Sequence, residues 1–245
     1  MSRLRSLLVL VVVLVVAGTC IRLGLWQLGR WREKQAANRT LAAALAAPAR
    51  PLPAGATADG LPPGRWQAAG RFDESRQFVL VGRSNDGDPG VHLVTPLVRD
   101  DGGPAVLVDR GFVPSPDATT ARPLDFPEPA PRVVTGLVDP LARRAGNAVW
   151  QRAAADSLAQ WTTRWLDPDS VAAALPYAVA PLVLRELPGD GVPAQPIKGA
   201  ARFADTMVHL SYAGQWFFFA LVALVGPLIL GRARRRKASD PGGRT

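Results

Sequence analysis

The chain has 245 residues, 48% of them hydrophobic, and a formal net charge of +9, enough for one ordinary domain plus anchors. The tails before residue 7 and after residue 230 hold +7 of that charge and leave +2 for everything between, so the dense basic footprint of a nucleic-acid binder is missing. Cys20 is the only cysteine, which excludes an internal disulfide and any thiolate chemistry in the middle of the chain.

A short basic tail, residues 1–6, precedes the first apolar run, Leu7–Ile21 (LLVLVVVLVVAGTCI), which Arg22 and LGLW follow. A bilayer core takes about 20 apolar residues in a helix. Residues 7–26 meet that length if Arg22 snorkels to the interface, with Trp26 and Trp31 in the aromatic belt. The competing reading is a cleaved signal peptide, and AGTC resembles a lipoprotein cleavage box with Cys20 as the lipidated residue. Thr19 is a poor residue before such a cysteine, and apolar character continues to Trp26, so the spanning helix is preferred. Leu25–Ala46 reads as the same helix continuing beyond the membrane surface. Gln27, Arg30 and Lys34 fall on one face of it, at i, i+3 and i+7. A solvated or headgroup-facing side is the ordinary explanation of that stripe.

Pro48–Gly64 is rich in Pro, Gly and Ala and reads as a linker or extended loop. Short β-like runs follow at Arg65–Phe72, Gln77–Arg83, Val91–Val98, Ala105–Val113, Val133–Val138 and Ala178–Leu187. Their spacing predicts a mostly antiparallel sheet or small barrel. SNDGDPG, Ser84–Gly90, is a turn cluster, which explains Asp86 and Asp88 better than a cation site does. Ala142–Leu175 breaks the strand pattern and reads as helical pieces around Trp150, Trp161 and Trp165.

The second apolar run, Tyr212–Leu230, ends in GRARRRK, a stop-transfer and positive-inside signal. Both termini are therefore expected in the cytoplasm. The expected organisation is a cytoplasmic tail 1–6, a span 7–26, an extracytoplasmic β-rich domain 27–210, a span 211–230 and a basic tail 231–245. In fold class this is a membrane protein of α+β type, with two transmembrane helices flanking a mostly antiparallel β outer domain that carries a helical insertion.

Catalytic equipment is sparse. The histidines are His92 and His209 alone, and there is no GxSxG, HExxH or GxxxxGK motif. An ordinary hydrolase or transferase is disfavoured. The most informative stretch is VHLSYAGQWFFFA, Val208–Ala220, in which His209, Tyr212 and Trp216 fall at i, i+3 and i+7 on one helical face. Interfacial anchoring is the plain explanation of such a cluster. A ligand lying in the membrane surface is the sharper one, with the imidazole as a candidate haem-iron ligand.

LGLWQLGRWREK (Leu23–Lys34), AAGRFDESRQFVLVGR (Ala68–Arg83), GVHLVTPLV (Gly90–Val98), VLVDRGFVP (Val106–Pro114) and HLSYAGQWFFFA (His209–Ala220) together resemble the surfeit-locus protein-one family. That resemblance implies an assembly factor for haem–copper cytochrome c oxidase, not an enzyme. It would assist insertion or retention of haem a in the main oxidase subunit, and haem a synthase is a further implied partner beside the lipid bilayer. It also implies a multi-pass protein of the plasma membrane. The family's haem-linked histidine before the second span falls on His209, and its other motifs carry over as Trp26, Gln27 and Arg30, and as Arg110, Gly111 and Phe112. Phe112 stands where the family usually has Trp, and Met207–Val208 where Asn is frequent, so the chain looks like a diverged, actinobacterial-type member. The expected haem site is His209 on the iron, flanked by Tyr212, Trp216 and Trp26, with Arg30 on a propionate. The alternative is a membrane scaffold or accessory subunit of the respiratory oxidase that binds no haem. Gly111 is expected to serve a tight backbone turn.

Overall fold

The first apolar run and the polar stretch after it fold as one helix, α1 (Ser2–Ala46), with no break at Arg22. The computed structural model describes residues 2–128, 132–141, 150–153, 159–199, 201 and 203–239. The chain divides into two units, one of residues 1–40 and 203–245 and one of residues 41–202.

The first unit is a helix pair, α1 with α3 (Met207–Ser239). Both helices are long and apolar enough to cross a membrane, and α3 continues through Pro227. Small residues are buried on both: Ala17, Cys20 and Gly24 on α1, Ala213 and Ala220 on α3. The Phe217 ring lies over Gly24, where an added Cβ would stand 2.7 Å from it. Asn38 clamps the approach to α3, since its side-chain amide donates to the Ala204 carbonyl at 2.8 Å and its oxygen accepts from Ala204 N–H at 2.9 Å.

The second unit is built on one sheet. Its strands are β1 (Arg50–Pro51), β2 (Trp66–Phe72), β3 (Arg76–Asn85), β4 (Asp88–Arg99), β5 (Ala105–Pro114), β6 (Arg132–Pro140), β7 (Trp150–Ala153), β8 (Ala159–Thr163) and β9 (Val179–Glu186). The order is β1-β2-β6-β9-β5-β4-β3-β8-β7, and β2 also pairs with β4. That extra pairing closes β2, β6, β9, β5 and β4 into a barrel. β5 and β9 run parallel and the other barrel pairs antiparallel. Alternate residues fill the interior: Trp66, Ala68 and Phe72 from β2, Val106 and Val108 from β5, Leu182 and Leu184 from β9. All six predicted strand runs are present to within a few residues. The turn cluster narrows to Asp86–Gly87, both at positive φ (51° and 97°), between the paired Asn85 and Asp88. Such two-residue turns match the strand twist.

Two expectations need correction. The segment 48–64 is not a mere linker. Arg50–Pro51 pairs parallel to β2, the Arg50 guanidinium stacks 4.2 Å above the Trp66 ring, and Leu52 is buried in the barrel core. Among the described residues of the predicted helical insertion, 142–175, the helix is α2 (Pro168–Ala174). Residues 150–153 and 159–163 are strands β7 and β8, while 142–149 and 154–158 lie outside the described residues. The alanine-rich composition favours helix locally, but tertiary pairing overrides it. β8 covers the open edge of β3, and Trp161 stacks on Phe78 with ring centroids 5.3 Å apart. Asp167 caps α2, accepting from the N–H groups of Asp169 and Ser170 at 3.1 Å each. Asp167→Ala is expected to cost about 1 kcal/mol, measurable as a small drop in the urea midpoint.

Candidate functional site

Of the residues singled out in the second apolar run, His209 makes the decisive contact. It sits in the first turn of α3, half-buried, with Nδ1 2.9 Å from Gln27 Oε1 on α1. With the Gln27 carbonyl accepting from Nδ1–H, the tautomer leaves Nε2 unprotonated, with a lone pair free to ligate. The stripe that carries Gln27 is therefore not only a solvated face: its first residue orients an imidazole on the other helix.

The remaining predicted residues have other surroundings of their own. Tyr212 and Trp26 are exposed. Trp216 is half-buried and meets Phe219 edge-on at 6.0 Å. Arg30 pairs with Glu33 on its own helix at 2.7 Å. A helix that is apolar on nearly every side does not reveal which face turns inward, and the buried stripe proves to run through Ala213 and Ala220 rather than Tyr212.

In the barrel, the Arg110–Gly111 pair of the VLVDRGFVP motif has a concrete cause. Leu93 on β4 faces Gly111 and Val94 faces Asp109, so the ladder slips and Arg110 has no opposite residue, a β-bulge. Its fully buried guanidinium donates through Nε to Glu128 Oε1 at 2.9 Å and through Nη1 to Gln77 Oε1 at 3.1 Å. It also reaches the Phe126 carbonyl. Arg132 joins Glu128 to Glu186, and Lys198 Nζ stands 2.9 Å from Glu186 Oε2 and 2.7 Å from the Arg110 carbonyl. Along β5 and β9 the interior alternation continues from Val108 to Arg110 and from Leu184 to Glu186, so the last interior layer of the barrel is ionic. Burial pulls the Arg110 guanidinium and the Lys198 ammonium below their usual pKa values, while Glu128 opposes this for Arg110 and Glu186 for Lys198. Near the β2–β3 turn, burial works against the Asp73 carboxylate, yet hydrogen bonds from Ser75, Tyr177 and Arg76 hold it below its ordinary value.

Residues 14–221 match the model of the SURF1 family, a span that includes Gln27, His209 and the Arg110 bulge. The cytochrome oxidase assembly protein SHY1 of Saccharomyces cerevisiae is 28% identical over 137 residues, 53% of this chain and 35% of that protein. Surfeit locus protein 1 of Mus musculus is 30% identical over 120 residues, 41% of this chain and 38% of the mouse protein. The aligned part is thus little more than a third of either relative's length. With a continuous match from the middle of α1 through the barrel to the middle of α3, the chain belongs to the SURF1 family.

Proposed function

We propose that the chain is a membrane-anchored assembly factor for haem–copper cytochrome c oxidase that holds haem a at His209 for the main oxidase subunit. The observation that carries the reading is the Gln27–His209 hydrogen bond, 2.9 Å between Nδ1 and Oε1. It orients a nitrogen donor of the kind haem iron accepts, and outer partners of this sort fix both ring orientation and tautomer. The donor set therefore fits the group. Haem a, when bound, supplies a Lewis-acidic iron in an amphipathic macrocycle. Trp26 and Tyr212, exposed on the two helices, supply aromatic surface for its apolar face. The Arg30–Glu33 pair is exposed on both sides and worth about 0–1 kcal/mol, so Arg30 is available to exchange Glu33 for a propionate.

Membrane anchoring is supported by the exposed apolar side chains along both helices, among them Leu8, Leu14, Leu228 and Ile229, which water would not solvate favourably. The basic residues after Leu230 support a plasma-membrane protein with both termini in the cytoplasm, in this reading with the main oxidase subunit as acceptor and haem a synthase as donor.

The test is the absorption spectrum and haem stain of detergent-purified protein co-expressed with haem a synthesis. Wild type should carry haem a, His209→Ala should lose the haem held at His209 while staying inserted, and Gln27→Leu should hold that haem about 10–100-fold more weakly. If the wild type held no haem, yet oxidase subunits co-purified with it and with His209→Ala alike, the haem-free scaffold would replace this reading.

A further inference from the structure

We propose that the barrel unit carries a separate binding site for a metal chelate of the porphyrin type, with His92 as the axial ligand. The inference stands on the barrel alone and does not depend on His209. His92 lies on β4 between Leu80 of β3 and Phe112 of β5. Its Nδ1 is 2.8 Å and 3.0 Å from the two carboxylate oxygens of Asp109. The carboxylate is itself held in place, because Oδ1 accepts the N–H of Gly111 at 3.0 Å within the bulge. A carboxylate partner makes Nδ1 the protonated nitrogen and leaves the Nε2 lone pair available. This carboxylate–imidazole arrangement is the one that orients and strengthens metal-ligating histidines.

Both residues line a cleft of about 700 Å³ on the outer side of the barrel, within the range of roughly 300–1,000 Å³ typical of cofactor sites. Leu137 and Val183 form an apolar wall, Trp165 an aromatic one, and Arg83 and Arg185 bring cationic donors. The Arg83 guanidinium stacks 5.1 Å from the Trp165 ring centre. Arg185 meets Asp139 at 2.9 Å in a pair half-exposed on the carboxylate side, so its donors are open to exchange with a ligand carboxylate.

The donor count selects the ligand class. A bare transition-metal ion needs three or four protein donors, and no group of three His, Cys, Asp or Glu side chains suited to a metal is found among the described residues. A single imidazole does suffice for a metal already held by four macrocycle nitrogens. Apolar and aromatic walls then meet the macrocycle, and Arg185 meets a carboxylate on it.

The experiment is a titration of full-length, detergent-purified, haem-free protein with haemin, followed by the Soret band, in wild type and in a His209→Ala background. The wild type should take up two equivalents, and His209→Ala should retain one. Adding His92→Gln, whose amide can still donate to Asp109, should remove the remaining ligated band and weaken uptake at least about tenfold, and Asp109→Asn should weaken it about 10–100-fold. Metal-free protoporphyrin should compete poorly. If His92→Gln lowers the urea midpoint, His92→Gly with added free imidazole decides instead: a restored Soret band supports ligation, and no restoration opposes it. The inference fails if His209→Ala binds no haemin, if His92→Gln binds as well as its parent, or if metal-free protoporphyrin competes equally, which marks adsorption to an apolar cleft. Loss with His209→Ala alone would leave the proposed helix site intact and sink this one. Loss with His92→Gln alone would do the reverse.

Discussion

Arg110→Met lowers the stability of the barrel by about 3–5 kcal/mol, the cost of removing one partner from a buried charge network. The readout is the urea midpoint of the tryptophan fluorescence transition at unchanged slope. The guanidinium has no exposure to water and donates to Glu128, Gln77, Thr95 and the Phe126 carbonyl. Methionine fills much of the same volume, so the cavity contribution is small and the loss reports polar groups left without a donor. Glu128 keeps Arg132 and Gln77 keeps Thr95, at 2.9 Å, but the Phe126 carbonyl loses its guanidinium donor. Since whole domains are stable by about 5–15 kcal/mol, a loss of this size takes a large share of the total. Arg110→Lys should lose part of it, about 1.5–3 kcal/mol, because an ammonium cannot span the guanidinium's partners. A fall below about 1 kcal/mol in Arg110→Met would show that the ionic layer does not stabilise the barrel.

The same bulge marks the border between what the sequence made legible and what it did not. Strands such as Val91–Val98 and Ala105–Val113 are bounded by turn residues and rich in β-branched side chains, so their positions could be read directly. The spacing left an open sheet and a small barrel as alternatives, because closure depends on β4 being long enough to pair with β3 at one end and β2 at the other. Trp161 and its neighbours read as helix in the sequence because local alanine content outweighs three β-favouring residues in a short window, whereas the exposed edge of β3 decides the outcome in the fold. In the helix pair the situation is reversed. His209 stood out by residue type, but its partner Gln27 lies 182 positions away, and only packing brings the two together. The pairing of His92 with Asp109 was equally invisible: the two lie 17 residues apart on neighbouring strands whose register includes a slip.

Gly111→Ala tests that slip. Gly111 has φ +117°, and a Cβ there would stand 2.3 Å from the Ile197 carbonyl oxygen and 2.8 Å from its carbon. Backbone atoms cannot rotate out of the way, so the 196–198 segment must move from β5. The two hydrogen bonds between Phe112 and Ile197, 2.8 Å each, would then break, at about 1 kcal/mol apiece, and the left-handed backbone adds about 1–3 kcal/mol of strain. A loss of about 3 kcal/mol or more in the urea midpoint is expected. Gly87→Ala separates the two causes. That glycine also has positive φ, 97°, but open space where a Cβ would go, so it should show the backbone cost alone, about 1 kcal/mol. Moving the segment also draws Lys198 away from Glu186 and the Arg110 carbonyl. Gly111→Ala and Arg110→Met should therefore be less than additive in combination, since each already disturbs the ionic layer that the other depends on. Full additivity would mean that the bulge and the charge layer are independent, and that the glycine serves the backbone only.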